Sequence, residues 1–206
     1  MNLLRNGPPS APLTLVLAHG AGTPMDHPFL AAFAEAIGAA GFAVVRFEFP
    51  YMAARREDGK RRAPDREPVL LQAFHDAASD VKPPLVVGGK SMGGRIASMV
   101  AGDLGAIGLL VLGYPFHPTG RPERTRVAHL AELRTPALII QGTRDPFGTR
   151  AEVETYRLSP SIRVHWIEGG NHDLATGGGK RPIEATLAGP LQHATAFLSS
   201  LLTRSG

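Results

Sequence analysis

An α/β fold, doubly wound around a mostly parallel six-stranded sheet, is predicted by three observations in the amino-acid sequence. Six short apolar, β-branched runs recur along the chain: Leu13 to Ala18, Ala43 to Phe49, Leu85 to Gly88, Ile107 to Leu112, Ala137 to Ile140 and Ile162 to Ile167. The intervals between them are long enough for the crossover that parallel pairing demands, and several carry helical periodicity. The third, fourth and fifth runs are hydrophobic almost throughout, as expected of strands covered by helices on both faces.

The elements follow in chain order. Twelve residues precede the first run, and Pro8, Pro9 and Pro12 argue against an extra hairpin there. Phe29, Leu30, Phe33 and Ile37 form one face of a first helix, with Asp26 as its cap and Gly41 as its stop. The stretch from Tyr51 to Pro68 is dense in charge and turn residues and reads as a loop, a candidate substrate-facing excursion. Leu70, Leu71, Phe74 and Ala78 mark a second helix, Ile96 to Ala101 a third, Ala151 to Leu158 a short one and Leu191 to Leu202 the last. Right-handed crossovers then give the strand order 2-1-3-4-5-6, reversing between the first and third strands, where ligands bind in such sheets.

The chain has 206 residues, of which 43% are hydrophobic, a size that suits one domain over 1–206 with a core needing no staples. There is no cysteine, which excludes disulfides, a cysteine nucleophile and thiolate metal ligands. No H-E-x-x-H motif or carboxylate cluster is present, so no metal or other cofactor is expected. The first apolar run is shorter than a signal-peptide core and no run approaches a membrane span, so a soluble, cytoplasmic protein is expected. A net charge of +4 is modest. Its one dense cluster, Arg55 to Arg62, is interrupted by Glu57 and Asp58 and reads as a solvated loop rather than a nucleic-acid surface.

The chemistry concentrates at the ends of strands. Gly89-Lys90-Ser91-Met92-Gly93 fits G-x-S-x-G between a strand and a helix, the nucleophile elbow, whose tight turn leaves no room for a β-carbon two residues before or after the serine. Gly-Lys-Ser also ends a phosphate-binding loop, but the glycine that motif needs five positions earlier is Pro84. A serine hydroxyl needs a base within hydrogen-bond reach and a group to orient that base. Asp145 follows the fifth run and His172 lies in a glycine-rich loop after the sixth, so Ser91, Asp145 and His172 stand in the order Ser, Asp, His. His19 organises its own loop, and His75, His165 and His193 fall on helices or a strand. Backbone N–H groups of Met92 and Ala21 are the candidates for an oxyanion site, and Tyr51 and Tyr114, each just past a strand, for the walls of a substrate pocket.

With these segments the chain resembles the α/β-hydrolase superfamily, and within it the small hydrolases related to dienelactone hydrolase and testis-expressed protein 30. The motifs run from Leu17-Ala18-His19-Gly20-Ala21-Gly22 through Arg46 to Tyr51, Gly89 to Arg95, Gly113-Tyr114-Pro115 and Gln141 to Gly148 to His172. Dienelactone hydrolases proper place a cysteine where this chain has Ser91. The resemblance implies an eight-stranded sheet, from which this chain is expected to lack the first two strands and a cap domain. It implies a serine hydrolase acting on an ester, thioester or lactone through an acyl-enzyme. The alternative is a non-catalytic interaction protein on the same fold. Short acyl groups are expected to be preferred, with Pro115 to Arg134 as the largest available cover.

Overall fold

The computed structural model describes residues 1–177 and 182–203. Seven strands form one sheet: β1 (Leu3–Asn6), β2 (Thr14–Ala18), β3 (Ala43–Phe47), β4 (Leu85–Lys90), β5 (Gly108–Leu112), β6 (Ala137–Gly142) and β7 (Ile162–Ile167). Their order is β1-β3-β2-β4-β5-β6-β7. All pairs are parallel except β1 with β3. The six expected strands and their order are therefore present, and β1 is an addition. Pro8, Pro9 and Pro12 lie after this strand, in its connection to β2, so they interrupt no ladder. β1 forms no hairpin with β2 but runs antiparallel along the sheet edge, Leu3 opposite Phe47 and Asn6 opposite Val44. Among the described residues the sheet thus has seven strands, and one of the two strands expected to be missing is present.

Among the described residues six α-helices flank the sheet: α1 (Pro28–Ala39), α2 (Pro50–Asp58), α3 (Glu67–Ala78), α4 (Met92–Val100), α5 (Arg150–Val153) and α6 (Ile183–Leu202). Alternation along each central strand sorts side chains into two core layers. Val16, Val87, Leu109, Val111 and Ile139 pack with Phe74 of α3 and Ile96 of α4. Leu15, Leu17, Val86, Leu110 and Ile140 pack with Phe33 of α1 and Leu198 of α6 on the other face. Each such side chain contributes about 1.5–3 kcal/mol when fully removed from water.

Four helices differ from expectation, the simplest being α5, where the helix expected over Ala151 to Leu158 stops at Val153 and gives way to a turn. Asp26 does not cap α1: Pro28 opens that helix after His27, and the Asp26 carboxylate instead accepts from Arg56 at 2.8 Å. The Tyr51-to-Pro68 stretch is not all loop, because α2 occupies its first half. Pro50 supplies the preset φ of a first turn, the Asp65 carboxylate accepts the Tyr51 N–H at 2.9 Å, and Gly59 at φ +71° closes the last turn onto the Arg55 carbonyl. Much of the basic cluster is consumed internally. Arg56 pairs with Glu48 at 2.6 Å and with Asp26 at 2.8 Å, and Arg62 pairs with Asp58 at 2.6 Å. The last helix begins at Ile183 rather than Leu191 and runs through Pro190. Among the described residues no helix is long and apolar enough to cross a membrane.

Candidate active site

The parallel strands deliver four connections to one edge of the sheet: those after β2, β4, β6 and β7. Ser91 stands between β4 and α4 at φ 52° and ψ −119°, a left-handed backbone unusual for a residue with a side chain. What the turn demands of its neighbours is measurable. A β-carbon on Gly89 would lie 2.5 Å from the Gly93 carbonyl carbon, and one on Gly93 would lie 2.5 Å from the His19 oxygen. Both glycines of the motif are thus sterically required, and the serine side chain is left at the pocket surface.

His172 approaches from the connection after β7. Its Nε2 lies 2.9 Å from Ser91 Oγ, and its Nδ1 lies 2.8 Å from Asp145 Oδ2. The Asp145 carboxylate can only accept, so Nδ1 carries the proton in this pairing and Nε2 is free to accept from the serine hydroxyl. Asp145 is fully buried, and its oxygens are satisfied. The Phe147 N–H donates to Oδ1 at 2.8 Å, and the Gln141 amide donates to Oδ2 at 2.8 Å alongside His172. The carboxylate of Asp173, the sequence neighbour of His172, lies 3.4 Å from the Lys90 ammonium.

The connection after β2 is held from behind. His19 is buried; its Nδ1 donates to the Gly20 carbonyl at 2.7 Å, and its Nε2 accepts the Phe49 N–H at 3.1 Å. These two bonds define a neutral imidazole. Burial accordingly holds its pKa below the ordinary 6.5, with the Gly20 bond and Glu48 acting the other way. The unfolded chain therefore binds this proton more readily, so the stability linked to His19 is complete above about pH 6.5 and is lost as pH falls below it. His129 and His165, also lowered mainly by burial, add to the same slope. Urea midpoints are expected to decline from pH 8 to 5.5, less steeply in His19→Gln than in the wild type; an unchanged slope in the variant would assign the effect to the other histidines.

A cavity of about 420 Å³ opens beside Ser91 and His172, walled chiefly by Phe29 and Leu30 of α1, Phe147, Ala175, and Ile183 and Thr186 of α6. Ala21 borders this cavity, and Met92 is the first residue of α4, where its N–H has no intrahelical acceptor. The two tyrosines lie elsewhere. Tyr51 is buried behind the connection after β2, donating its hydroxyl to the Ala21 carbonyl at 2.9 Å. Tyr114 is wholly buried, with its hydroxyl on the Arg126 carbonyl at 2.8 Å. Neither borders the cavity, because both rings pack back into the core, Tyr51 from the first turn of α2 and Tyr114 from the irregular segment after β5. The Pro115-to-Arg134 segment does not cover the cavity either. That role falls to the starts of α1 and α6, the latter brought there by the turns of helix upstream of Pro190.

Three residues of the site escaped sequence reasoning. Gln141 donates to the Asp145 carboxylate at 2.8 Å, Phe147 packs its ring 4.4 Å from the His172 imidazole, and Lys90 reaches the His172 carbonyl at 2.9 Å. Their signals were available only as proximity in sequence, Gln141 four residues before Asp145 and Phe147 two after it. Burial pushes the Lys90 ammonium below the usual lysine range, against the pull of Asp173 and Asp145. Among the described residues no group of three His, Asp or Glu side chains is placed to hold a metal ion.

A family model for an alpha/beta hydrolase domain matches residues 11–201. The chain is an α/β hydrolase. Solved structures of similar fold include dienelactone hydrolase from Anabaena variabilis, with a TM-score of 0.72 and 21% identity over 96% of this chain and 91% of that one. An α/β serine hydrolase without lid from Xanthomonas campestris matches with a TM-score of 0.65 and 20% identity over 94% and 87%. A serine hydrolase homologue from Coxiella burnetii matches with a TM-score of 0.65 and 18% identity over 98% and 90%. This α/β hydrolase thus shares their architecture across nearly its whole length.

Proposed function

We propose that the protein is a serine hydrolase that cleaves a small ester, thioester or lactone through an acyl-enzyme. The observation that carries this reading is the unbroken chain Ser91 Oγ to His172 Nε2, His172 Nδ1 to Asp145 Oδ2, at 2.9 and 2.8 Å, opening into an apolar cavity. Ser91 attacks the carbonyl carbon while its proton passes to His172 Nε2, and the buried Asp145 stabilises the imidazolium that forms. The tetrahedral oxyanion is received by the N–H groups of Met92 and Ala21, each such donor being worth about 3–4 kcal/mol where measured. Collapse expels the alcohol or thiol, protonated by His172, and leaves an acyl group on Ser91. Water, deprotonated by His172, then attacks the acyl carbonyl, and collapse breaks its bond to Ser91 Oγ, which regains the proton from His172 as the acid leaves.

Labelling with a fluorophosphonate probe tests the reading. Covalent modification mapped to Ser91 is expected, and an unlabelled folded protein would return the chain to a non-catalytic role.

The cavity also sets an expectation for the acyl group. Its apolar walls and limited volume favour chains from acetyl to about hexanoyl over dodecanoyl. Leu30→Trp, which fills the wall at α1, is expected to lower kcat/KM for the hexanoyl ester at least about tenfold while sparing the acetyl ester, on the scale of a few methylenes in an apolar pocket. Equal losses on both esters in a p-nitrophenyl series would place the acyl chain outside this cavity.

A further inference from the structure

His172 must hold its imidazole within reach of a serine on a different strand. β7, which feeds the histidine connection, is separated from β4 by β5 and β6. Bonds within the connection shape it without tying it to β4. The Asn171 side chain accepts the N–H groups of Asp173 at 2.9 Å and Ala175 at 3.1 Å, and the buried Leu174 adopts φ +63°.

The tie to β4 is Lys90. Its Nζ donates to the His172 carbonyl at 2.9 Å and lies 3.4 Å from Asp173 Oδ1, with the side chain only 10% exposed. The passage between the two elements runs beside Gly113, where a β-carbon would stand 2.8 Å from the His172 oxygen and 3.4 Å from Lys90 Nζ. Holding an ammonium in so dry a place is costly unless its donors find acceptors, and a backbone carbonyl and a carboxylate take two of its three. Lys90 immediately precedes Ser91, so whatever it grips is fixed relative to the nucleophile.

We propose that Lys90 is a positioning residue that clamps the His172 carbonyl, and secondarily the Asp173 carboxylate, so that the imidazole stays registered on Ser91. This rests on the serine-hydrolase reading above. The carbonyl bond is the working part, because Asp173 is 73% exposed and its ion pair is screened by water. The clamp acts on geometry rather than on substrate, so its loss appears in kcat and not in KM.

The experiment compares wild type, Lys90→Met and Asp173→Asn on p-nitrophenyl acetate, with fluorophosphonate labelling rates, melting temperatures and the low-field proton NMR signal of the His172 Nδ1–H. Lys90→Met is expected to lower kcat and the labelling rate about 30- to 100-fold, the scale of an ångström of misplacement. KM should stay within about threefold, and the low-field signal should broaden. Asp173→Asn should lose less than tenfold and keep the signal. A Lys90→Met kcat within threefold of wild type overturns the clamp, as does a rise in KM alone, which would make Lys90 a receptor for a substrate anion. If Lys90→Met does not fold, the wild type decides: a scalar coupling across the hydrogen bond from Lys90 Nζ to the His172 carbonyl carbon is expected, and its absence overturns the proposal. Wild type unlabelled at Ser91 would instead defeat the serine-hydrolase reading, whereas equal labelling of wild type and Lys90→Met defeats only the clamp.

Discussion

Ser91→Ala is expected to abolish ester turnover and fluorophosphonate labelling in a protein that remains folded. The loss should approach about 10⁶ in kcat, the size found when a nucleophile of this kind is removed, leaving only what oxyanion donors and binding supply. The fold should be indifferent, because the substitution removes one hydroxyl at the cavity surface and no buried methylene. The strained φ of 52° is retained by alanine, so no stabilisation from backbone relief is expected beyond the loss of the hydroxyl's own bonds. Persistent labelling of the folded variant, located by peptide mapping, would remove Ser91 from the mechanism.

The second large effect separates two candidates for the acid, Asp145 and the sequence neighbour of His172, Asp173. Asp145→Asn is expected to lower kcat by about 10⁴, because an amide facing His172 Nδ1 favours the wrong tautomer and cannot stabilise the imidazolium. The neighbourhood sharpens this expectation. Asp145 Oδ2 already accepts from the Gln141 amide, so an asparagine nitrogen placed there would set two donors against each other, while one placed at Oδ1 would face the Phe147 N–H. Either orientation leaves a buried donor unsatisfied, so a fall in melting temperature should accompany the kinetic loss. Asp173→Asn touches neither bond to the imidazole. If the ranking of the two variants were reversed on the same ester, the acid's role would pass to Asp173.

Much of this molecule was legible in the chain because the signals that specify it are local. Strands β2 to β7 were read from runs such as Leu109-Leu110-Val111-Leu112, whose continuous hydrophobicity requires cover on both faces, and their order from the handedness of crossovers. The elbow was read from two glycines, whose missing β-carbons are a property of the residues themselves. The positions of Asp145 and His172 followed from parallel strands, which send the connection after each strand to the same carboxyl end of the sheet.

What the tertiary structure decided depends on partners far away in sequence. β1 has four residues and no alternation of its own; it is a strand because β3 offers an edge to Leu3–Asn6. α2 was obscured by the charge density of its second half, although Pro50 and Gly59 mark its ends, because the ion pairs that quiet Arg56 reach back to Asp26 and Glu48. Tyr51 and Tyr114 sit just past strand ends, but only packing determines whether such a ring turns toward the cavity or the core, and here both hydroxyls found backbone carbonyls inside. Lys90 is the sharpest case. In sequence it is the free position of G-x-S-x-G, and its significance arises only when a loop 82 residues away brings a carbonyl to within 2.9 Å of its ammonium. Periodicity and turn chemistry are written into neighbouring residues, whereas the satisfaction of a buried charge is settled by whichever element the fold places against it.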